Sequence, residues 1–253
     1  MQQNRSDLDI NEFMSSGFNL KSHLSEFLGR TIQEIESLFP TSSDDLAALH
    51  PGSLDADKVF DFYENDVGTA HLLELAAWHL NSSNYISDTI RLEKMFAYGQ
   101  VLDFGGGIGT HSLAAAGLKQ VDHVWFVDLN PNNRNFVKKR AKSLGLEDKI
   151  SVHRDLEDTR DVFFDTVICL DVLEHLPDPS NQLLVFLRRL SPEATVILNW
   201  YFFKGFKGEY PFHFDDPDMI NFFFKTLQEN YIEAFHPFLI TTRAYQAKNQ
   251  DRI

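Results

Sequence analysis

Val101-Leu102-Asp103-Phe104-Gly105-Gly106-Gly107-Ile108-Gly109-Thr110 is the stretch around which this 253-residue chain is organised. Val101 to Phe104 form a short apolar run of the kind that makes a buried strand. Gly105, Gly107 and Gly109 follow as G-x-G-x-G, and Leu113 to Ala116 continue as helix-forming sequence. A strand, a tight glycine turn and a helix start together make a nucleotide pocket, because the first amides of the helix are unpaired and a glycine turn lets a ligand lie against bare backbone. A second acid, Asp128, ends the next apolar run, Val124-Trp125-Phe126-Val127. It lies about twenty residues beyond the glycines, the spacing of a ribose-binding carboxylate.

A dinucleotide-binding unit shares these features, but three observations point elsewhere. The glycines run G-x-G-x-G and not G-x-G-x-x-G. Asp103 stands two residues before them, where it repels a phosphate and attracts an amino group. The motif begins near residue 100, not at an N-terminal first strand. Asp103-x-Gly105-x-Gly107-x-Gly109 resembles motif I of the class I S-adenosylmethionine-dependent methyltransferases. Their cofactor carries an ammonium, a sulfonium and a carboxylate and no phosphate, which suits an acidic entrance to the turn.

The pattern after Gln100 alternates strand and helix. Strands are expected at Ile150–His153, Asp165–Leu170 and Thr195–Tyr201, with helices from Asn130-Pro131 to Leu144 and from Asn181 to Leu190. Five such units argue for an α/β fold with a doubly wound, Rossmann-like and mostly parallel sheet. The resemblance implies seven strands with the last antiparallel. Tyr231–Phe238 and Leu239–Ala247 read as the final two, as a hairpin at the sheet edge, after a helix over Asp216–Glu229. Before Gly99 the periodicity is helical. Leu24, Phe27, Leu28, Ile32, Ile35, Leu38 and Phe39 recur at helical spacing, interrupted at Gly29, with a break at Pro40–Asp45. Further helices are expected over Asp55–Tyr63, Thr69–Leu80 and Tyr85–Phe96, and residues 1–20 are loosely ordered or form a short lid helix. The expected organisation is a helical N-terminal cap over 1–98 and an S-adenosylmethionine-binding domain over 99–253.

Composition narrows the function. The net charge is −14, with 16 acidic and 6 basic residues in the first 99, so the cap carries most of the acidity. A nucleic-acid enzyme presents a basic face, and the one basic run, Lys138-Lys139-Arg140 with Lys142, reads as a solvated helix face. The lone cysteine, Cys169, sits in a buried-strand pattern and excludes a disulfide framework. Absence of a signal peptide or membrane-length apolar run leads to the expectation of a cytoplasmic protein, monomer or homodimer, with a small-molecule acceptor and with neither nucleic acid nor membrane as partner.

Ligands in such sheets bind at the carboxyl ends of the strands. The resemblance implies that Asp103 and the Gly105 backbone receive the cofactor ammonium, beside Gly107 and Gly109. It implies that Asp128 accepts from the ribose hydroxyls with Leu129 beside the sugar, and that Asp155 and Leu156 meet adenine. A loop-capping Asp is the alternative for Asp155. Asp171-Val172-Leu173-Glu174-His175-Leu176-Pro177-Asp178-Pro179 resembles the "EHLPDP"-type segment of small-molecule methyltransferases, so that Asp171 and Val172 line the methionine end. His175 is a candidate for general-base work or for bracing that loop. The aromatic run from Trp200 to Phe214 is either core or a wall for a flat or cationic acceptor, with Tyr201, Tyr210 and Phe214 as candidate contacts. His213, paired with Asp215 or Asp216, is a second candidate base. The ten histidines show no H-x-x-x-H spacing, and the adjacent Asp-Asn pair of catechol-type enzymes is missing, so no metal is expected. The implied reaction is in-line methyl transfer to a nitrogen or oxygen nucleophile of a small molecule, of the natural-product type, with an amine slightly favoured by the acidic cap. The competing readings are action on a protein partner and a nicotinamide-dependent reductase.

Overall fold

The computed structural model describes residues 8–15, 19–50 and 58–248. Among the described residues, seven α-helices precede the sheet: α1 (Ile10–Ser15), α2 (Leu20–Leu28), α3 (Ile32–Leu38), α4 (Ser42–Ala47), α5 (Val59–Asp61), α6 (Ala70–Asn81) and α7 (Ser83–Phe96). Then come β1 (Gly99–Phe104), α8 (Thr110–Gly117), β2 (Val121–Val127), α9 (Pro131–Ser143), β3 (Ile150–His153), β4 (Phe164–Cys169), α10 (Pro179–Arg189), β5 (Leu190–Leu198), α11 (Pro217–Asn230), β6 (Tyr231–Phe235) and β7 (Arg243–Ala247). Part of the helix expected over Asp55–Tyr63, and half of the expected N-terminal lid segment, lie outside the described residues. The described part of the former, α5, runs into a single π-helical turn over Phe62–Asp66, closed by Val67 N–H donating to the Phe62 carbonyl five residues back, 3.2 Å.

The strands form one sheet in the order β3-β2-β1-β4-β5-β7-β6, with β7 antiparallel to both neighbours. Adjacent residues of each central strand point to opposite faces. Leu102, Val127, Val167, Val196 and Leu198 join Leu183 and Phe186 of α10 and Phe223 and Leu227 of α11 on one face. Val101, Phe126, Ile168 and Ile197 join Leu92 of α7, Leu113 of α8 and Val137 of α9 on the other. Burying a side chain the size of Phe186 or Phe223, both fully enclosed, contributes roughly 1.5–3 kcal/mol.

Local sequence fixes where the crossover helices begin. Asn130, Asp178 and Asp216 each accept a backbone N–H from the first helical turn, at 2.9, 2.9 and 2.8 Å, and each is followed by proline. Proline there sacrifices an amide that has no helical partner. The helix after the glycine turn, α8, starts at Gly109 without a side-chain cap.

Two strand expectations are corrected. β5 starts at Leu190, directly after α10, and ends at Leu198, so Asn199, Trp200 and Tyr201 leave the sheet. The early start reflects Leu190 pairing with Phe164 before a register shift, with Glu193 in the left-handed region at φ 64°. The last two strands do form the expected hairpin at the sheet edge, with β7 against β5 and β6 outermost, but both are shorter than expected. Ala244 and Tyr245 of β7 are buried, whereas four of the five β6 residues are exposed; a strand buried on both faces takes the interior place. Phe238 and Leu239, read as strand residues, are almost fully exposed in the connection.

The helices before Gly99 pack onto the glycine turn itself. Leu20, Leu24, Ile35, Leu72 and Ala76 form one cluster with Ile108 and Phe136. Beneath it the fully buried Arg140 donates to the Ile108 carbonyl at 2.6 Å and lies over the Phe136 ring.

Candidate active site

The glycine turn is held by backbone geometry. Gly105 and Gly107 have φ of +72° and +54°, where a side chain is strained. A Cβ on Gly105 would lie 2.4 Å from Val172 Cγ2, and one on Gly107 would lie 2.8 Å from Leu75 Cδ1. The turn is thus pressed from one side by the loop after β4 and from the other by α6. Gly109 caps α8 and packs against Val137.

Asp128 locks the turn to the end of β2. Its Oδ2 accepts from Gly107 N–H at 2.9 Å, and its Oδ1 accepts from Asn130 N–H at 2.8 Å and from Asn133 Nδ2 at 3.1 Å. Burial pushes its carboxyl up to about 6 against these three donors, which favour the charged form. Leu129, next to it, is half-buried, and its carbonyl is held by Arg134. Asn130 Nδ2 donates to the Gly68 carbonyl at 2.9 Å, tying the helical cap to this corner.

Asp103 is buried and accepts from Ser112 Oγ; its carboxyl is raised by burial, an effect that Ser112 and His111 offset. His111 in turn pairs with the buried Glu93 of α7. At the end of β3, Asp155 caps the short 3₁₀ turn Leu156–Thr159 by accepting from Glu157 N–H at 2.9 Å. Its other oxygen lies 3.6 Å from Arg154 NH1. The capping alternative therefore describes Oδ1. Leu156 belongs to the core cluster below the sheet end. Arg154 makes a bidentate pair with Glu64 of the π turn, both contacts at 2.6 Å.

The ends of β4 and β5 meet at Asp171 and Asn199. Asp171 adopts φ 53°, Asn199 Oδ1 accepts its N–H at 2.5 Å, and Asn199 Nδ2 donates to its Oδ1 at 2.9 Å. The Asp171 side chain is open to water yet enclosed by protein walls, and burial raises it to about 6. Beyond it stand Glu174, His175 and His213, whose donor atoms lie within 4.8 Å of one another. Tyr63 OH meets His175 Nδ1 at 2.8 Å, and His213 Nδ1 donates to the Phe203 carbonyl at 3.0 Å. Burial holds His175 well below its usual range, with His213 adding to the effect, and lowers His213 as well. Burial, then Asp171, pushes Glu174 up to about 8. Phe214 reaches this place through its backbone, N–H to the Glu174 carbonyl at 2.7 Å.

The aromatic run divides in two. Trp200 and Phe202 pack with Phe223, and Trp200 with Phe224, as core. Tyr201 and Tyr210, about half exposed, surround His213; the Tyr210 ring stacks on it at 5.2 Å and 8°. His213 does not pair with Asp215 or Asp216: the first bonds Lys204 at 3.1 Å and the second caps α11. Chain connectivity hides the actual partners, which arrive from residues 175, 201, 203 and 210.

Two residues escaped the sequence reading. His71 and Glu74 sit on α6 among apolar neighbours and face this same corner. Burial lowers His71 to about 4, and burial followed by Asp171 raises Glu74 to about 7. Two titratable residues one helical turn apart on an otherwise apolar stretch were the available signal.

The turn and the carboxylates fit a cationic adenosyl amino acid: bare backbone at Gly105 and Gly107, a fixed carboxylate at Asp128, an uncapped helix start, and an open acid at Asp171. The family described as "Methyltransferase domain" matches residues 72–202. The ubiquinone biosynthesis O-methyltransferase of Xanthomonas oryzae pv. oryzae (strain PXO99A) is 31% identical over 124 residues, 46% of this chain and 47% of that protein. That of Xylella fastidiosa (strain M23) is 35% identical over 122 residues, 46% of each. The mitochondrial one of Schizosaccharomyces pombe is 29% identical over 140 residues, 52% of this chain and 48% of that protein. The chain thus spans about half the length of the curated relatives it matches. Among solved structures, a mitomycin 7-O-methyltransferase superposes with a TM-score of 0.53 at 12% identity, covering 75% of this chain and 60% of that one. A ribosomal protein L11 methylase from Lactobacillus delbrueckii subsp. bulgaricus gives 0.50 at 16%, covering 67% and 80%. These two likenesses are of fold.

Proposed function

The chain belongs to the methyltransferase-domain family, and we propose on that footing that it transfers a methyl group from S-adenosylmethionine to an oxygen of a small-molecule acceptor. The observation that carries this reading is the Asp128–Gly107 hydrogen bond, which fixes a carboxylate against the side-chain-free glycine turn at adjoining strand ends. When bound, the cofactor supplies a methyl carbon already activated by its sulfonium, so the protein's task is alignment and exclusion of water.

Asp128 accepts from the vicinal ribose hydroxyls, with Leu129 against the sugar and the Asp155–Leu156 backbone beside adenine. Asp103 and Gly105, with Asp171 and Val172 opposite, hold the amino-acid end. Residues before Gly99 act as a cap, with Leu75, His71 and Tyr63 above the ligand. The acceptor lies against Tyr201, Tyr210 and Phe214. His213 and His175 are both held neutral by burial, so each offers a lone pair at neutral pH to an acceptor hydroxyl proton. The acidic cap favoured an amine; the relatives, named as O-methyltransferases, move the weight to a hydroxyl.

Calorimetric titration tests the reading. S-adenosylhomocysteine should bind in the micromolar range and NADH should not, and the reverse outcome would establish the reductase. A survey of labelled methyl transfer to phenols, amines and whole proteins then separates the acceptor classes, phenols being the expected substrates.

A further inference from the structure

We propose that Glu174, His175 and His213 form a binding site for a divalent transition-metal ion at the acceptor end of the sheet. The site stands on its own geometry; only its role depends on the methyl-transfer reading above.

Two observations carry it independently. The first is convergence: one donor atom from each of the three side chains falls within 4.8 Å of the others, although His213 arrives on a different loop from the adjacent Glu174 and His175. Side-chain adjustments of about an ångström bring such donors to the roughly 2.0–2.2 Å that nitrogen and oxygen ligands keep from a metal. The second is an orphan. Glu174 is 1% exposed, and its Oε2 has no hydrogen-bonding partner among the described residues. A buried carboxylate oxygen left unpaired is costly and rare, and a cation is a natural partner for it.

The surroundings are those of a metal site. His213 Nδ1 donates to the Phe203 carbonyl, which fixes its tautomer and leaves Nε2 as the ligand. Ligation asks the same of His175, with Nδ1–H directed to the Tyr63 oxygen. The imidazole rings are 4.7 Å apart and nearly perpendicular, at 82°. The Phe214-to-Glu174 backbone bond clamps the two loops together. Two imidazoles and one carboxylate select Zn²⁺, Fe²⁺, Co²⁺ or Mn²⁺ over Mg²⁺ or Ca²⁺, and three protein ligands leave coordination positions open. Those positions face Tyr201 and Tyr210, where an oxygen-bearing acceptor would ligate the ion; an imidazole lone pair given to the ion would then not act as the base, and the ion itself would lower the acceptor hydroxyl's hold on its proton.

The full chain, stripped with a chelator, is titrated with Co²⁺ and followed by visible absorption, and Mn²⁺-loaded protein is read by pulsed electron paramagnetic resonance. The expected results are one equivalent of Co²⁺ with the intense bands of a low-symmetry site, and nitrogen couplings from imidazole in the Mn²⁺ spectrum. Glu174→Gln and His213→Asn should each weaken Co²⁺ binding at least about tenfold. Asp128→Ala should leave Co²⁺ affinity unchanged while S-adenosylhomocysteine affinity is lost, which separates this site from the nucleoside site. Cobalt binding without any affinity for S-adenosylhomocysteine would sink the methyl-transfer reading and leave the metal site standing. Bands of the hexaaqua ion, a Mn²⁺ spectrum without nitrogen couplings, or Co²⁺ affinity equal in the chain and in both folded variants would overturn the proposal. The nitrogen couplings, measured on the unaltered chain, decide the matter should a variant fail to fold.

Discussion

The two ends of the ligand-binding edge are built on opposite plans. At β1 and β2 the groups belong to one short stretch, and the contacts are largely backbone: Gly107 N–H on Asp128, Asn130 N–H on the same carboxylate. At β4 and β5 the groups are side chains gathered from Tyr63, His71, Asp171, Glu174, His175 and His213. Under the proposed function, the first plan would fix the ligand that every catalytic cycle shares. The second is a convergence that can change with any one contributor, which is where acceptor choice is expected to reside.

The sharpest break in that contrast is Asp128→Ala. Losing charge-assisted bonds to two hydroxyls is worth roughly 3 kcal/mol, so S-adenosylhomocysteine should bind about a hundredfold more weakly by calorimetry, and unchanged affinity would refute the nucleoside assignment. Gly105→Ala crosses from one plan to the other. Its methyl would strike Val172 at 2.4 Å on a backbone at φ +72°, costing roughly 2–3 kcal/mol. A drop of roughly 5–10 °C in Tm is expected, with turnover falling more than nucleoside affinity because Val172 leads into the Asp171–His175 loop.

Acidity reaches both ends, since Asp171 is raised to about 6 and Glu174 to about 8, but affinity for the nucleoside reads the first. Asp128 is raised to about 6 from an ordinary 3.8, and a protonated carboxyl loses an acceptor. Nucleoside affinity should therefore hold above about pH 6 and fall up to tenfold per unit below it, read by titration across that range. The stability sign is opposite. Because the folded state keeps this proton where the unfolded chain has lost it, the stability from this group is greatest below about pH 4 and declines as pH rises through 6. The smallest effect belongs to the second end. Tyr63→Phe removes one hydrogen bond to His175, worth roughly 0.5–1.5 kcal/mol. It should lower kcat/KM about three- to tenfold and leave S-adenosylhomocysteine affinity unmoved.

The same contrast explains what could be read from the chain alone. Asp103, the glycines and Asp128 were legible because strand, turn and acid are neighbours in sequence, and seven-strand topology followed from alternation and resemblance. The β5 start was missed because α10 passes into it at Leu190 without a turn residue. The edge hairpin was legible, but which of its strands faces β5 was not, because hairpin adjacency leaves that open. The Glu174–His175–His213 cluster was passed over because ligand spacing was sought along one helix, while these donors meet only after folding. His213 was assigned to Asp215 or Asp216 for the same reason: nearness in sequence stood in for nearness in space.

The π turn at Phe62–Asp66 has a consequence for how this corner tolerates change. It spends one more residue on a single revolution than an α-helix does. Deleting one residue there restores ordinary pitch with the flanking turns still in register, and changes which side chain stands beside His175, while the Gly68 anchor downstream stays put. A shortened homologue would keep its fold and its nucleoside grip, yet present a different side chain to His175. Under the proposed function, a single-codon loss within this turn would thus be a ready evolutionary route to a new acceptor.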